Sequence, residues 1–423
     1  MKCTAQVSAA NDLSSAALGH EPVLEISTGP VLVIQKEVAQ ACASQFAGAL
    51  HAVVLTGSLA RGEGSFLSEA GVQKFYGDAE FIILIQGRVA LPNEAVIDSL
   101  KVEIETTLRK RGVECSISLS AAHSDYLRKM QPSIFAYELR TWGRSIWGSE
   151  VLSLIPAFTP ASIPLEDAWR LLANRMIEQL ERAAEIQSDS SFLPPGLYYR
   201  TAKLYLDMAT SLLVFIGAYE PSYQRRAARL LDIAARPGSL SDAPFPLVEF
   251  ARTVAACTAW KLAPNTRTFT DEDWKFWTTA ISHAELLWRW ELAQLSRSSR
   301  HLSATDLMNS WIKQQPMTAR WRGWMYVVRK QRWLTSWLHW PTWARQVLRM
   351  SPRYCVYSAT GELFPMLPEL LRPPNDMRRE KPDWERIRHR LPLRLAMEQE
   401  ALWCQLAAEI SWNYHEFLEG TVA

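Results

Sequence analysis

The chain has 423 residues, of which 48% are hydrophobic and 21% are charged, and its formal net charge is +2. At roughly 150 residues per domain this length predicts two to three domains with sizeable cores. The composition excludes a wholly disordered chain, a collagen-like repeat and a long coiled coil. Because 46 basic and 44 acidic residues nearly cancel, the overall charge does not point to a polyanionic partner.

The cysteines and the N-terminal residues predict a cytoplasmic protein. Six cysteines stand singly, with no two of them within four residues, which excludes a CxxC zinc or redox pair and suits a reducing compartment. Residues 1–27 contain no apolar run of signal-peptide length and are predicted to form a flexible tail. The most apolar later stretch, 204–219, is interrupted by polar residues and is shorter than the roughly 20 residues of a membrane span. We therefore expect no integral membrane segment.

Residues 28–155 mix helical and strand-like segments and are predicted to form one domain. Periodicity and turn residues predict a helix at 31–50, strands at 51–56 and 80–85, a helix at 93–111 and a strand at 112–118. Asn93 is the expected N-cap of the second helix. This order indicates a small mixed β-sheet with helices packed on it.

Only helical periodicity follows the proline-punctuated segment 155–164. The predicted helices are 165–186, 197–218, 223–235, 246–262 and 271–295. We expect a helical domain over 160–300 and a basic, tryptophan-rich helical extension over 303–423. The predicted fold class is therefore α+β, with the sheet domain first and an all-α region after it.

Chemistry-bearing residues concentrate where the first predicted strand ends. Gly57 allows a sharp turn and a close approach to a phosphate, because it has no Cβ. If Ser58 opens a helix there, backbone N–H groups and its hydroxyl can bind an anion. Arg61, one turn later, is a candidate for a bidentate phosphate contact.

Two carboxylates follow on the next predicted strand. Asp78 and Glu80 are two residues apart, so their side chains lie on one face of the strand. Mg²⁺ binds one or two protein carboxylates together with phosphate oxygens, which a nucleoside triphosphate supplies. Glu114, on the predicted strand 112–118, is the best candidate for a third carboxylate.

The order Gly-Ser, acid–hydrophobic–acid and a later acid on a strand resembles the DNA polymerase β-like nucleotidyltransferase superfamily, and Gly-Ser-Leu-Ala-Arg-Gly is similar to its small-substrate and antibiotic-type branches. The resemblance covers about a third of the chain. It implies that Gly57 and Ser58 bind the triphosphate, that Asp78, Glu80 and Glu114 hold two Mg²⁺ ions and act in catalysis, and that ATP is the favoured nucleotide. It also implies that a helical domain closes the cleft and offers a lysine to the phosphates, for which Lys203 is the candidate.

The chain departs from the family pattern between the two halves of the motif. Nineteen residues separate Ser58 from Asp78, about twice the usual spacer, and we expect an inserted loop at 69–76 to absorb them. The second acid is Glu80 where aspartate is commoner.

A basic block occupies 307–361, which contains nine Lys and Arg residues, seven tryptophans and no Asp or Glu. Three interpretations stay open. The block could bind single-stranded nucleic acid, it could lie on an anionic membrane surface, or its tryptophans could be core residues with arginine stems packed along them. Trp333, Trp337 and Trp340 recur at helical spacing, which suits a buried stripe and a membrane face equally.

Together these patterns predict a Mg²⁺-dependent nucleotidyltransferase that moves a nucleoside monophosphate from a nucleoside triphosphate to an acceptor hydroxyl or phosphate and releases pyrophosphate. The acceptor stays unassigned. The alternative is a catalytically weak, nucleotide-binding regulatory module that uses its basic region on a membrane surface or a nucleic acid. In both cases we expect a cytoplasmic protein, with peripheral membrane attachment left open.

Overall fold

A computed structural model describes residues 29–185, 196–236, 238, 240–265, 271–330, 340–371, 384–393 and 402–417. The fold is α+β. A five-stranded mixed sheet with its helices forms the N-terminal part, and helices alone make up the described residues that follow. The predicted fold class is thus confirmed.

The sheet is built around one long strand. Its strands are β1 Leu50–Leu55, β2 Phe66–Glu69, β3 Val72–Ile85, β4 Val113–His123 and β5 Arg144–Gly148. The order is β2-β3-β1-β5 with antiparallel pairing, and β4 pairs with β3 in parallel. The second half of β3, 81–85, is wholly buried, because it is apolar and is covered on both faces.

Helices cover both faces of the sheet. These N-terminal helices are α1 Pro30–Gln45, α2 Gly57–Ala60, α3 Glu94–Lys110, α4 Ser124–Arg128 and α5 Ile134–Trp142. α1 and α3 share one core with β1 and β3, whereas α4 and α5 pack on the other face. Asn93 caps α3 as predicted, since its side chain accepts a hydrogen bond from the Val96 N–H.

Two local predictions in this domain need correction. The helix predicted at 31–50 ends at Gln45, because Gly48 takes a left-handed conformation that leads into β1. The loop predicted at 69–76 is instead a β-hairpin, in which β2 pairs with the start of β3. Ala70 and Gly71 form its turn with positive φ angles of 47° and 82°, as a tight hairpin turn requires.

The remaining helices pack into one bundle. They are α6 Leu165–Glu185, α7 Leu197–Phe215, α8 Tyr223–Ala235, α9 Leu247–Leu262, α10 Asp271–Ser296, α11 Ala304–Gln314, α12 Met317–Lys330, α13 Trp340–Val347, α14 Pro352–Leu363, α15 Leu367–Leu370, α16 Trp384–Arg388 and α17 Trp403–Phe417. The five helices predicted between 165 and 295 are confirmed within three residues at each end. A single hydrophobic core runs from α6 to α17, across the domain boundary predicted near 303.

The basic block contributes to this bundle. Trp324 and Trp343 are buried in a small cluster with Val327, as the core interpretation expects, whereas Trp321 is exposed. Trp333 and Trp337 lie outside the described residues, as does the side chain of Trp340. None of the described helices combines the length and the apolar character that crossing a bilayer requires.

Candidate functional site

The turn after β1 brings the two halves of the predicted motif together. The Thr56 N–H donates to the Glu80 carbonyl at 2.9 Å, so β1 ends beside Glu80 of β3. Gly57 follows with a φ of +67° and opens α2. A Cβ on Gly57 would lie 2.6 Å from the Glu80 Oε2, so only glycine lets the carboxylate lie here. Because α2 has only one turn, its helix dipole contributes little to the binding of an anion at this turn.

Asp78 and Glu80 lie side by side on the exposed face of β3, with the buried Ala79 between them on the opposite face. The surrounding protein raises the pKa of the Glu80 carboxyl above its usual value, and the largest cause is the loss of hydration water around the carboxylate. Asp78 adds to this rise, and Lys203 and Arg61 oppose it. The Glu80 side chain keeps an exposed fraction, so a ligand can still reach it.

The strand beside the acid pair does not add a carboxylate directly opposite it. Ser116 and Ser118 of β4 lie opposite Asp78 and Glu80, whereas Glu114 lies opposite Lys74 and forms an exposed ion pair with its Nζ at 3.5 Å. Across the described ranges, no group of three or more His, Cys, Asp or Glu side chains is arranged to hold a metal ion.

Glu114 instead borders a separate cavity. This cavity has a volume of about 270 Å³ and is lined by Phe75, Glu105, Arg109, Glu114, Cys115 and Ser116. The role of Glu114 as the third carboxylate of the metal site therefore stays a prediction. It would require the Glu114 side chain to break its ion pair with Lys74.

Lys203 of α7 lies near enough to Glu80 for its positive charge to lower the pKa of that carboxyl, and its phosphate-binding role stays a prediction. Its Nζ lies 5.8 Å from the ring centre of Tyr199, one turn earlier on α7. The nearby Arg175 guanidinium and then burial lower its pKa, while Glu80 is among the groups that act in the opposite direction. α7 is held against β3 because the Tyr199 hydroxyl donates to the Tyr76 carbonyl at 2.8 Å.

Arg61 lies near the acid pair, but its guanidinium is already occupied. Its Nε donates to Glu63 at 2.9 Å and its Nη1 donates to Glu138 of α5. The side chain is 5% exposed and stacks over the Tyr223 ring at 4.8 Å. A phosphate would have to displace a buried carboxylate, so the contacts present assign Arg61 to domain packing.

Glu138 joins this arginine to a second one in the bundle. Its other oxygen accepts from Arg226 of α8 and from the Tyr219 hydroxyl, the latter at 2.6 Å. Arg226 also donates to Thr210 at 2.8 Å. The sequence offered no local signal for this network, since Glu138 is 77 residues from Arg61 and 88 from Arg226.

Lys261 of α9 is a second residue that sequence reasoning missed. It is 2% exposed, and its Nζ donates to the Ser65 hydroxyl at 2.6 Å. Ser65 in turn donates to the Lys261 carbonyl, so the hairpin entrance and α9 are joined twice. Burial and the positive charges of Lys203 and Arg61 lower the pKa of Lys261 to about 7.

The residues at this site fit a magnesium–triphosphate complex. Two adjacent carboxylates on an open face provide the number of protein ligands that Mg²⁺ takes when phosphates complete its shell. Lys203 supplies a positive charge on the side of the bundle. No family model and no curated protein matches the chain.

Proposed function

We propose that the protein is a Mg²⁺-dependent nucleotidyltransferase of the DNA polymerase β-like type, which transfers a nucleoside monophosphate from a triphosphate, with ATP favoured, and releases pyrophosphate. The observation that carries the proposal is the contact between Gly57 and the Glu80 carboxylate. It joins the Gly-Ser turn to the acid pair at one point on the surface. Two short motifs that occurred in the sequence by chance would have no reason to lie in contact in the folded protein.

Each residue has a distinct task in this proposal. Asp78 and Glu80 would hold Mg²⁺, which neutralises triphosphate charge and lowers the pKa of the attacking acceptor group. Gly57 leaves room for the Glu80 carboxylate, and the Ser58 hydroxyl donates to a phosphate oxygen. Lys203 binds phosphate from the opposite side. Positioning and charge neutralisation of this kind account for most of the catalysis in phosphoryl-type transfer.

The proposal is tested by pyrophosphate release. Wild type would be supplied with Mg²⁺, each nucleoside triphosphate and fractionated pools of small molecules, RNA and protein as acceptors. We expect one pool to stimulate release, and we expect Asp78→Ala to abolish it. Full Mg²⁺-dependent release by Asp78→Ala would refute the assignment of the acid pair. Asp98→Ala is the matched control, because it removes an exposed carboxylate that is paired with Lys101 on α3.

A second candidate function is a nucleotide-binding regulatory module with little transferase activity. The observation that favours it is the register of β4, which puts Ser116 and Ser118, rather than an acid, opposite Asp78 and Glu80. A site with two carboxylates can bind a magnesium–triphosphate complex and still lack a group that activates the acceptor. Mg²⁺-dependent binding without pyrophosphate release in any pool would support this function over the first.

In either case we propose that the basic block 307–361 contacts a polyanion and that the protein is cytoplasmic.

A further inference from the structure

The surface of α12 carries an exposed apolar stripe that belongs to none of the hydrophobic clusters of the described residues. Met317, Trp321 and Met325 recur every fourth residue and are all exposed, with Trp321 53% accessible. The adjoining side of the helix, formed by Arg320, Trp324 and Val327, is buried in the bundle. The apolar surface of α12 is therefore wider than the part that the bundle buries, and its outer part, Met317, Trp321 and Met325, is left exposed.

Arg320 bonds α12 to the chain segments that lie beside it. Its guanidinium donates to the carbonyls of Ile312 and Gln315 at 2.8 and 3.2 Å, at the end of α11, and to the Leu348 carbonyl at 3.1 Å, just after α13. These three bonds hold α12 beside the turn at Leu348, which is 66% exposed. The helix that carries the stripe is thus fixed to its neighbours, and the turn bonded to it has a fourth exposed apolar side chain, Leu348.

Positive side chains lie on the solvent side of the stripe. Exposed cations lie on α12 and on the segments before and after it in the chain, and none of them forms an ion pair with a described residue; they are Lys313, Arg322, Arg329, Arg345 and Arg349. The whole block from 307 to 361 contains no acid. Because no described carboxylate pairs with these cations, we take them as available to an external anionic surface.

We propose that this surface, which we call the α12 face, binds the headgroup region of an anionic lipid bilayer. Bilayer interfaces accept both of its components, because tryptophan and methionine side chains enter the headgroup–acyl boundary while arginines contact anionic headgroups. A nucleic acid would satisfy the arginines but has no apolar phase for Met317, Met325 and Leu348. The inference does not depend on the proposed transferase activity, since none of its residues lies at the Gly57–Glu80 site.

Sedimentation of the full-length protein with vesicles tests the proposal. One set of vesicles contains phosphatidylcholine alone and the other also contains phosphatidylglycerol. We expect binding to the anionic vesicles only, weakened by added salt. Trp321→Ala should reduce the partition coefficient by about tenfold. The double variant Arg322→Gln, Arg329→Gln should reduce it by about 30-fold, at about fivefold per arginine.

Two control variants remove the same side-chain types elsewhere. Trp147→Ala removes an exposed tryptophan of β5, and Arg88→Gln removes an exposed arginine of the sheet domain. Both should bind vesicles like wild type. All of these substitutions are at exposed positions, so unchanged thermal unfolding checks that the fold is intact.

Three results would overturn the proposal. The first is absence of binding to anionic vesicles, or equal loss in the control variants. The second is tight binding of single-stranded RNA that the double arginine variant loses, without vesicle binding. The third is a vesicle-free dimer that Trp321→Ala dissociates, which would make the α12 face an interface between two copies of the chain.

Discussion

The Glu80 carboxylate lies so close to the Cα of Gly57 that a Cβ there would come within 2.6 Å of Oε2. The same glycine has a φ of +67°, a backbone conformation that residues other than glycine rarely adopt. The turn and the acid are therefore mutually dependent: any larger residue at 57 must displace the carboxylate that the proposed metal site requires.

We predict that Gly57→Ala abolishes Mg²⁺-dependent nucleotide binding. Gly62→Ala is the matched control, because Gly62 also has a positive φ, of 72°, but a methyl group added there would meet no atom within 4 Å. Both substitutions should cost about 1–2 kcal/mol of unfolding free energy from backbone strain. Only Gly57→Ala should lose binding in calorimetry, and equal binding by the two variants would disprove the role of the contact.

Glu138 should be the most sensitive carboxylate of the domain interface. It accepts hydrogen bonds from Arg61 and Arg226, whose side chains are 5% and 4% exposed. Glu138→Ala leaves two buried guanidinium groups short of a partner, and we expect a loss of about 3–5 kcal/mol in urea unfolding. Glu114→Ala, which breaks an exposed pair, should cost under about 1 kcal/mol. Similar costs for the two variants would show that the network is not stabilising.

Lys261 should make stability rise with pH. Its pKa is lowered from 10.5 to about 7, so between these values the unfolded chain binds a proton that the folded chain does not. The free energy of unfolding should therefore increase with pH across this window, by up to about 1.4 kcal/mol per unit from this group. Lys261→Met should remove that increase, while the exposed Lys74→Met should keep it. Parallel pH profiles for wild type and Lys261→Met would contradict the expectation.

Glu291 should act in the opposite direction. It is fully buried in α10, and desolvation raises its pKa well above 4.5 while the Ser211 hydroxyl offsets only part of the effect. From about pH 4.5 upward the folded state retains a proton that the unfolded state loses, so this group lowers stability as pH rises. Glu291→Gln should abolish this decline and be more stable than wild type at pH 8. The partly exposed Glu285→Gln, on the same helix, should show no such gain.

Local patterns in the sequence were enough to predict most of the helices and strands. The Asn93 cap, the helix 223–235 and the spacing of Asp78 and Glu80 depend on residues close together in the chain, and the structure agrees with each. The hairpin at Ala70 escaped notice because a non-glycine residue occupies a left-handed position there.

The parts of the site that could not be predicted all depend on distant partners. Arg61 has the appearance of a phosphate ligand until Glu138 is brought to it by the fold. Likewise, Glu114 lies on the right strand, but the register of β4 against β3 places it opposite Lys74, and no local pattern encodes that register.

The most direct test of the account is calorimetric titration of the four nucleoside triphosphates, with and without Mg²⁺, into wild type, Asp78→Asn and the control Asp98→Asn. We predict Mg²⁺-dependent binding, strongest for ATP, that Asp78→Asn abolishes and Asp98→Asn retains. Binding that persists in Asp78→Asn, or that is independent of Mg²⁺, would contradict a metal–triphosphate site at the contact between Gly57 and Glu80.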